Sequence, residues 1–230
     1  MFELPTIMVN FKTYEQASGN DALNLVRICK KASEETGINV SCCVQSSDIN
    51  KCASAEGSIA VFAQHIDTEK AGGHTGKIHI KSVFENGAVG SLINHSEDRV
   101  DKRQIEESVS LLDKKDMVSV VCVQDASEAR DIAHFKPDII AIEPPELIGG
   151  DVSVTSADPD IISQTIDAVR SVDSNIPILC GAGVKTGDDV KKALDLGAMG
   201  VLVASGVTKA DDQERAVKEL IRGVSEHKDR

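Results

Sequence analysis

The chain has 230 residues, with 37 acidic against 25 basic side chains and a formal net charge of −12. That length suits one α/β barrel or two ordinary domains, and the charge excludes duplex nucleic acid and an anionic membrane as global partners. Its six cysteines form no C-x-x-C pair and mostly fall in apolar runs, so a reduced, cytoplasmic chain is expected rather than a disulfide framework. No basic leader precedes an apolar stretch at the N-terminus, so no signal peptide is expected, and no apolar run reaches the length of a bilayer span.

Short β-branched runs alternate with amphipathic stretches along the chain. The first strand is expected over 6–11, then a helix from 18 or 20 to 36 with Gly37 as its C-cap. Strand two is expected over 38–44, a short helix over 46–55 and strand three over 58–63. A glycine-rich loop, 72–76, leads into a helical piece over 78–85 that Gly87 breaks. Strand four over 89–93 precedes a helix over 100–113, and strand five over 118–123 precedes one over 127–135. Strand six spans 138–142 and is followed by a helix over 157–171. Strand seven (176–179), a helix (188–196), strand eight (199–203) and a last helix (209–224) complete the pattern. Eight strand–helix units without a linker between them predict a single-domain (β/α)8 barrel over 1–230, with an open doubly wound sheet as the alternative.

The stretch around strand six organises the reading of function. Ile139-Ile140-Ala141-Ile142 reads as a buried parallel strand, and Glu143 follows it. Pro144 and Pro145 lack the N–H that a ladder needs, so the strand stops at the carboxylate, beside a loop that closes on Gly149-Gly150. A base beside a lid and a surface Glu that merely ends a strand both fit this stretch.

Function in a barrel gathers at the C-terminal strand ends. Those positions hold Asn10-Phe11-Lys12, Asn94-His95-Ser96-Glu97, Glu143, Cys180-Gly181-Ala182-Gly183 and Ala204-Ser205-Gly206. Each has a plain alternative: Lys12 a solvated lysine, His95 a cap for a helix beginning near Ser96, the glycine turns ordinary βα loops. Their convergence on one mouth is what points to chemistry. Backbone N–H groups at the last two turns form an anion cradle, by which a net-acidic chain could hold a phosphate.

These residues resemble the triosephosphate isomerase family. The resemblance rests on Asn10-x-Lys12, Asn94-His95-Ser96-Glu97, Glu143-Pro144 with Ile148-Gly149, Cys180-Gly181-Ala182-Gly183 and Ala204-Ser205-Gly206, in family order over nearly the whole chain. The Glu-Pro-Pro-Glu-Leu-Ile-Gly lid at 143–149 and the stretch 201–210 are similar to the archaeal branch. The resemblance implies interconversion of dihydroxyacetone phosphate and glyceraldehyde 3-phosphate without metal or cofactor, by a cytoplasmic homo-oligomer that is tetrameric in that branch.

It also implies residue roles. Glu143 is the base, His95 the hydrogen-bond donor to the developing oxyanion, and Lys12 the positive charge beside it. A neutral His95 would follow if the helix near Ser96 pointed its positive end at the ring; this family is the standard example of a neutral imidazole in that role. Asn10 and Phe11 lie beside Lys12 in the substrate site, and Glu97 is a partner for Lys12 or a first-turn helix residue. Ile148, Gly183, Ala204 and Ser205 contact the phosphate. Thr75, in the 72–76 loop, packs near Asn10 and Lys12 of a second subunit. The family is likewise the standard example of a lid that excludes water, here 146–150. One departure stands out: the family usually continues Ile-Gly with Thr and then Gly or Lys, and this chain has Gly150-Asp151.

Other readings remain open from the residues alone. Another phosphate-binding barrel would share the last two turns but not need Lys12, His95 and Glu143 together. A non-catalytic phosphate sensor would keep the cradle and could lose the base. A metal enzyme is not expected, because no His, Asp or Glu group has ligand spacing.

Overall fold

Eight short strands pair edge to edge in sequence order and close on themselves. The computed structural model describes residues 2–54, 59–144, 155 and 159–228. The strands are β1 (Thr6–Asn10), β2 (Asn39–Val44), β3 (Ala60–Ala63), β4 (Gly90–Ile93), β5 (Val118–Val123), β6 (Ile139–Ile142), β7 (Ile178–Cys180) and β8 (Gly200–Val203). Every pairing is parallel, and β1 pairs with both β2 and β8, which rules out the open sheet. Closure demands close backbone approach at Gly200, where a Cβ would lie 2.2 Å from the Thr6 carbonyl oxygen.

The strands read as unbroken apolar runs because both faces are buried. One face fills the barrel with Met8, Cys43, Phe62, Leu92, Val120, Cys122, Leu179 and Leu202 among others. The other packs Ile7, Val9, Val121, Ile140, Val201 and their neighbours against the helices.

The helices among the described residues are α1 (Asn20–Thr36), α2 (Ile49–Ala53), α3 (Ile80–Glu85), α4 (Lys102–Asp113), α5 (Ala126–Ala133), α6 (Pro159–Arg170), α7 (Gly187–Asp195), α8 (Ser205–Thr208) and α9 (Gln213–Lys228). Their starts follow local chemistry. Asp101 caps α4 by accepting from the Gln104 amide, and Asp125 caps α5 by accepting from the Glu128 amide. Thr186 and Asp189 form a reciprocal capping box at α7. Gly37 ends α1 in the left-handed conformation, as expected.

Two expectations need correction. No helix begins near Ser96: the segment is a turn in which the Asp98 amide reaches the His95 carbonyl at 2.8 Å, and α4 waits for the Asp101 cap. The last helix, expected from 209, begins only at Gln213, and the short α8 precedes it. The backbone leaves α8 after Thr208 and restarts after Asp212, whose carboxylate accepts from the Arg215 amide at 2.9 Å. The loop carrying the expected lid, the start of the helix expected from 157 and the first residue of the strand expected from 58 lie outside the described residues. Among the described residues no helix is long and apolar enough to cross a membrane.

Candidate active site

The strand-end residues Asn10, Lys12, His95 and Glu143 line one cleft together with 182–185 and 202–206. The barrel interior is packed below them, so the cleft opens only at the C-terminal mouth.

Lys12 leaves β1 through a left-handed turn, φ +48°. Such a backbone is unfavourable for a lysine and needs external support. Asn10 accepts from the Lys12 amide at 3.0 Å, while the Gln64 carboxamide donates to the Lys12 carbonyl at 2.9 Å and the Cys43 carbonyl at 3.2 Å. Gripped on both sides, Lys12 extends its ammonium to Glu97 Oε1 at 2.7 Å. Glu97 is thus a partner of Lys12 in a turn, not a first-turn helix residue.

His95 and Glu143 are 6% and 7% exposed. The Glu97 amide donates to His95 Nδ1 at 3.2 Å. An accepting Nδ1 places the ring proton on Nε2, which makes the neutral ring a donor toward the cleft. A backbone amide therefore sets the tautomer where a helix dipole was expected. His95 Nε2 stands 3.5 Å from Glu143 Oε2, and neither atom has a hydrogen-bond partner among the described residues. Buried polar atoms are nearly always satisfied, so a facing donor and acceptor without partners mark a place for a ligand that carries both functions.

Glu143 is held by its own amide, which donates to the Val123 carbonyl at 2.8 Å. Its stem packs over Gly181, where a Cβ would lie 2.5 Å from Glu143 Cγ. Three thiols lie around the carboxylate. Burial pushes the Cys122 thiol well up, and the charge and hydrogen bond of Glu143 push it further. Burial and then Glu143 raise Cys43; burial, Asp189 and Glu143 raise Cys180. All three remain protonated at neutral pH and add no negative charge beside Glu143.

The opposite wall is backbone-rich. Ala182 and Gly183 are both left-handed, φ +68° and +70°, and run into Val184 and Lys185. Ala204, Ser205 and Gly206 face them at the start of α8.

Of the expected site residues, Asn10, Lys12, His95, Glu143, Gly183, Ala204 and Ser205 meet at this cleft, with Glu97 reaching it through Lys12. Phe11 does not: its side chain is fully buried in the helix-facing core. Ile148 and the Gly150-Asp151 departure lie outside the described residues. Thr75 is exposed at the tip of a loop whose neck is drawn together by Asp67. That carboxylate accepts from the Ile78 amide at 2.6 Å and from Lys77 at 2.9 Å. A second cleft, lined by Lys12, Gln64, His65, Glu97 and Asp98 among others, adjoins the first.

Gln64, Tyr14 and Lys185 escaped the sequence reading. Gln64 directly follows β3 with a polar side chain and was within reach of the strand-end rule. Tyr14 and Lys185 sit in loops, where one aromatic or lysine carries no signal.

A family model described as triosephosphate isomerase matches residues 5–222. The triosephosphate isomerase of Methanothermus fervidus is 44% identical over 217 residues, covering 94% of this chain and 97% of the relative. That of Methanosarcina acetivorans is 43% identical over 220 residues, covering 96% and 99%. Among solved structures, the triosephosphate isomerase of Bartonella henselae matches with a TM-score of 0.72 at 19% identity, covering 95% of this chain and 99% of its own, which speaks to the fold alone.

Proposed function

This chain belongs to the triosephosphate isomerase family, and we infer that Glu143, His95 and Lys12 carry its reaction. The chain is an intramolecular aldose–ketose isomerase, interconverting dihydroxyacetone phosphate and D-glyceraldehyde 3-phosphate through an enediolate in glycolysis and gluconeogenesis.

Glu143 removes a proton from the carbon beside the carbonyl and returns it to the neighbouring carbon. One carboxylate serves both positions because the proton travels between adjacent atoms. His95 Nε2–H donates to the two substrate oxygens as negative charge develops on them, and the Lys12 ammonium stabilises the same charge. Asn10 and Gln64 hold Lys12; Glu97 holds both the ammonium and the imidazole tautomer. Gly183, Ala204 and Ser205, with Ile148 from the lid, receive the phosphate. The observation that carries this reading is the buried pair His95 Nε2 and Glu143 Oε2, 3.5 Å apart and without a hydrogen-bond partner among the described residues, beside the Lys12 cation.

The chain works in the cytoplasm as a homo-oligomer, a tetramer as in the branch it resembles. Support for subunit contact is local: an exposed Thr75 loop and an open cleft beside Lys12. Light scattering at micromolar concentration tests it, and a monomer there refutes it.

Isomerase activity on glyceraldehyde 3-phosphate, coupled to a dehydrogenase that consumes dihydroxyacetone phosphate, tests the reaction. Glu143→Gln run in parallel tests the base. Turnover in the wild type, with a loss of about three or more orders of magnitude in the variant, is expected. A folded wild type without turnover would leave a phosphate-binding barrel for another substrate.

A further inference from the structure

His95, Ser96 and Glu97 lie in one turn, so whatever holds that turn sets the imidazole and, through Glu97, the Lys12 ammonium together. The turn is closed at its neck by Asn94. This residue is 1% exposed and left-handed, φ +62°, a backbone that Asn and Gly tolerate best. Its carboxamide oxygen accepts from the Val100 amide at 3.1 Å, joining the two ends of the 94–100 segment. Its nitrogen donates to the Cys122 carbonyl on β5 at 2.9 Å and faces Glu128 Oε1 on α5 at 3.4 Å. The amide fits one way round only: reversed, it would set its NH2 against the Val100 N–H and its oxygen against a carbonyl and a carboxylate.

Glu128 completes the clamp. It accepts from the Gln124 amide at 2.8 Å and pairs with the Arg99 guanidinium at the far end of the same turn. The segment is thus tied at its first residue to β5 and α5, at its last to its first, and at Arg99 to α5. Among the described residues, neither Asn94 nor Glu128 lines the substrate cleft.

We propose that Asn94, backed by Glu128, is a positioning residue that fixes the tautomer and aim of the His95 imidazole against Glu143. This rests on the reaction assigned above. Loss of the carboxamide leaves the half-buried Val100 N–H and the buried Cys122 carbonyl without the Asn94 bonds and lets the turn relax. The Glu97 amide then no longer holds Nδ1 as an acceptor, and Nε2 drifts from its place opposite Glu143.

Two substitutions preserve the backbone. N94G keeps the left-handed conformation and deletes the carboxamide. N94D keeps the shape and the Val100 acceptor but sets a carboxylate against the Cys122 carbonyl and Glu128. Both should lower kcat about tenfold to a hundredfold while KM stays within about threefold, because aim is lost and the phosphate wall is untouched. N94D/E128Q, in which the new amide can donate to Asp, should recover part of that loss. E128A, which leaves the Asn94–Cys122 bond in place, should lose about threefold to tenfold in kcat.

The 15N shifts of the His95 ring read the same effect without turnover. The wild type should show Nδ1 unprotonated and Nε2 protonated, and N94G a mixture of tautomers. Wild-type kcat and ring shifts in a folded N94G overturn the proposal, even if its melting temperature falls. If N94G does not fold, wild-type kcat and ring shifts in E128A overturn it. An inactive wild type whose ring shifts still respond to N94G would sink the assigned reaction and leave the clamp standing.

Discussion

Gly181→Ala isolates the placement of Glu143 from every other property of the site. The added Cβ would lie 2.5 Å from Glu143 Cγ, against 3.4 Å for the shortest ordinary contact, so the stem must retreat by about 0.9 Å. The stem is carbon next to a backbone-anchored residue rather than the free end of a long chain, so it cannot swing clear at no cost. Its backbone is fixed by the bond to the Val123 carbonyl, and the carboxylate therefore moves relative to His95. Misplacement of a reacting group by about 1 Å costs on the order of a hundredfold, or about 2.7 kcal/mol of barrier. Steady-state kinetics should show kcat falling by about that factor with KM nearly unchanged, since the phosphate wall does not move. Thermal unfolding should fall by only a few degrees, as the open cleft absorbs the extra volume. A kcat within about threefold of wild type would mean that Glu143 tolerates displacement and that its aim does not set the rate.

Other perturbations address different parts of the molecule. Lys185→Gln removes a cation from the cleft wall beside Gly183; KM should rise about fivefold with little change in kcat, and the effect should shrink at high salt. An unchanged KM would take Lys185 out of phosphate binding. Gly223→Ala brings a Cβ to within 2.1 Å of the Gly187 carbonyl oxygen, forcing α9 from α7; calorimetry should show about 1–3 kcal/mol of lost stability and unaltered kcat, and an undiminished melting temperature would contradict that contact. Asp67→Asn tests the neck of the Thr75 loop. Burial alone would raise the Asp67 carboxyl, but the Ile78 amide, Lys77 and His65 outweigh it and hold it below the usual carboxylate range. A depressed carboxyl contributes stability above the unfolded value near about 4, lost as pH falls through the folded value. The wild type should therefore exceed the variant by about 1–2 kcal/mol at neutral pH and converge with it as pH falls below about 4. A gap independent of pH would mean that the carboxylate charge plays no part.

What the sequence disclosed and what it withheld divide along physical lines. Glu143 was legible because Pro144 ends a strand by local chemistry, and the alternation of apolar runs foretold the barrel because burial on both faces leaves an unmistakable pattern. Asp101 and Asp212 act just as locally, but cap signals such as theirs are common and compete. The amphipathic pattern through 209–224 therefore concealed the break before α9, and Ser96 seemed to open a helix that begins at Lys102. Contacts between strands were not legible. Gly181 read as part of an anion turn, whereas its lack of a side chain makes room for Glu143, a relation between β6 and β7 that no spacing encodes. Asn94 read as part of a motif; its bonds to β5 and α5 appear only when those elements meet. Phe11 stood next to two site residues in sequence and points the other way, as alternation along a strand requires.

Isomerisation in D2O followed by proton NMR tests whether Glu143 carries the proton through an enediolate. A carboxylate that holds the proton between two carbons exchanges it with solvent in part, so deuterium should appear at the carbon that gains the proton. Both turnover and incorporation should collapse in Glu143→Gln. Brisk isomerisation without solvent deuterium, undiminished in that variant, would mean that hydrogen moves by another route and would contradict the assignment.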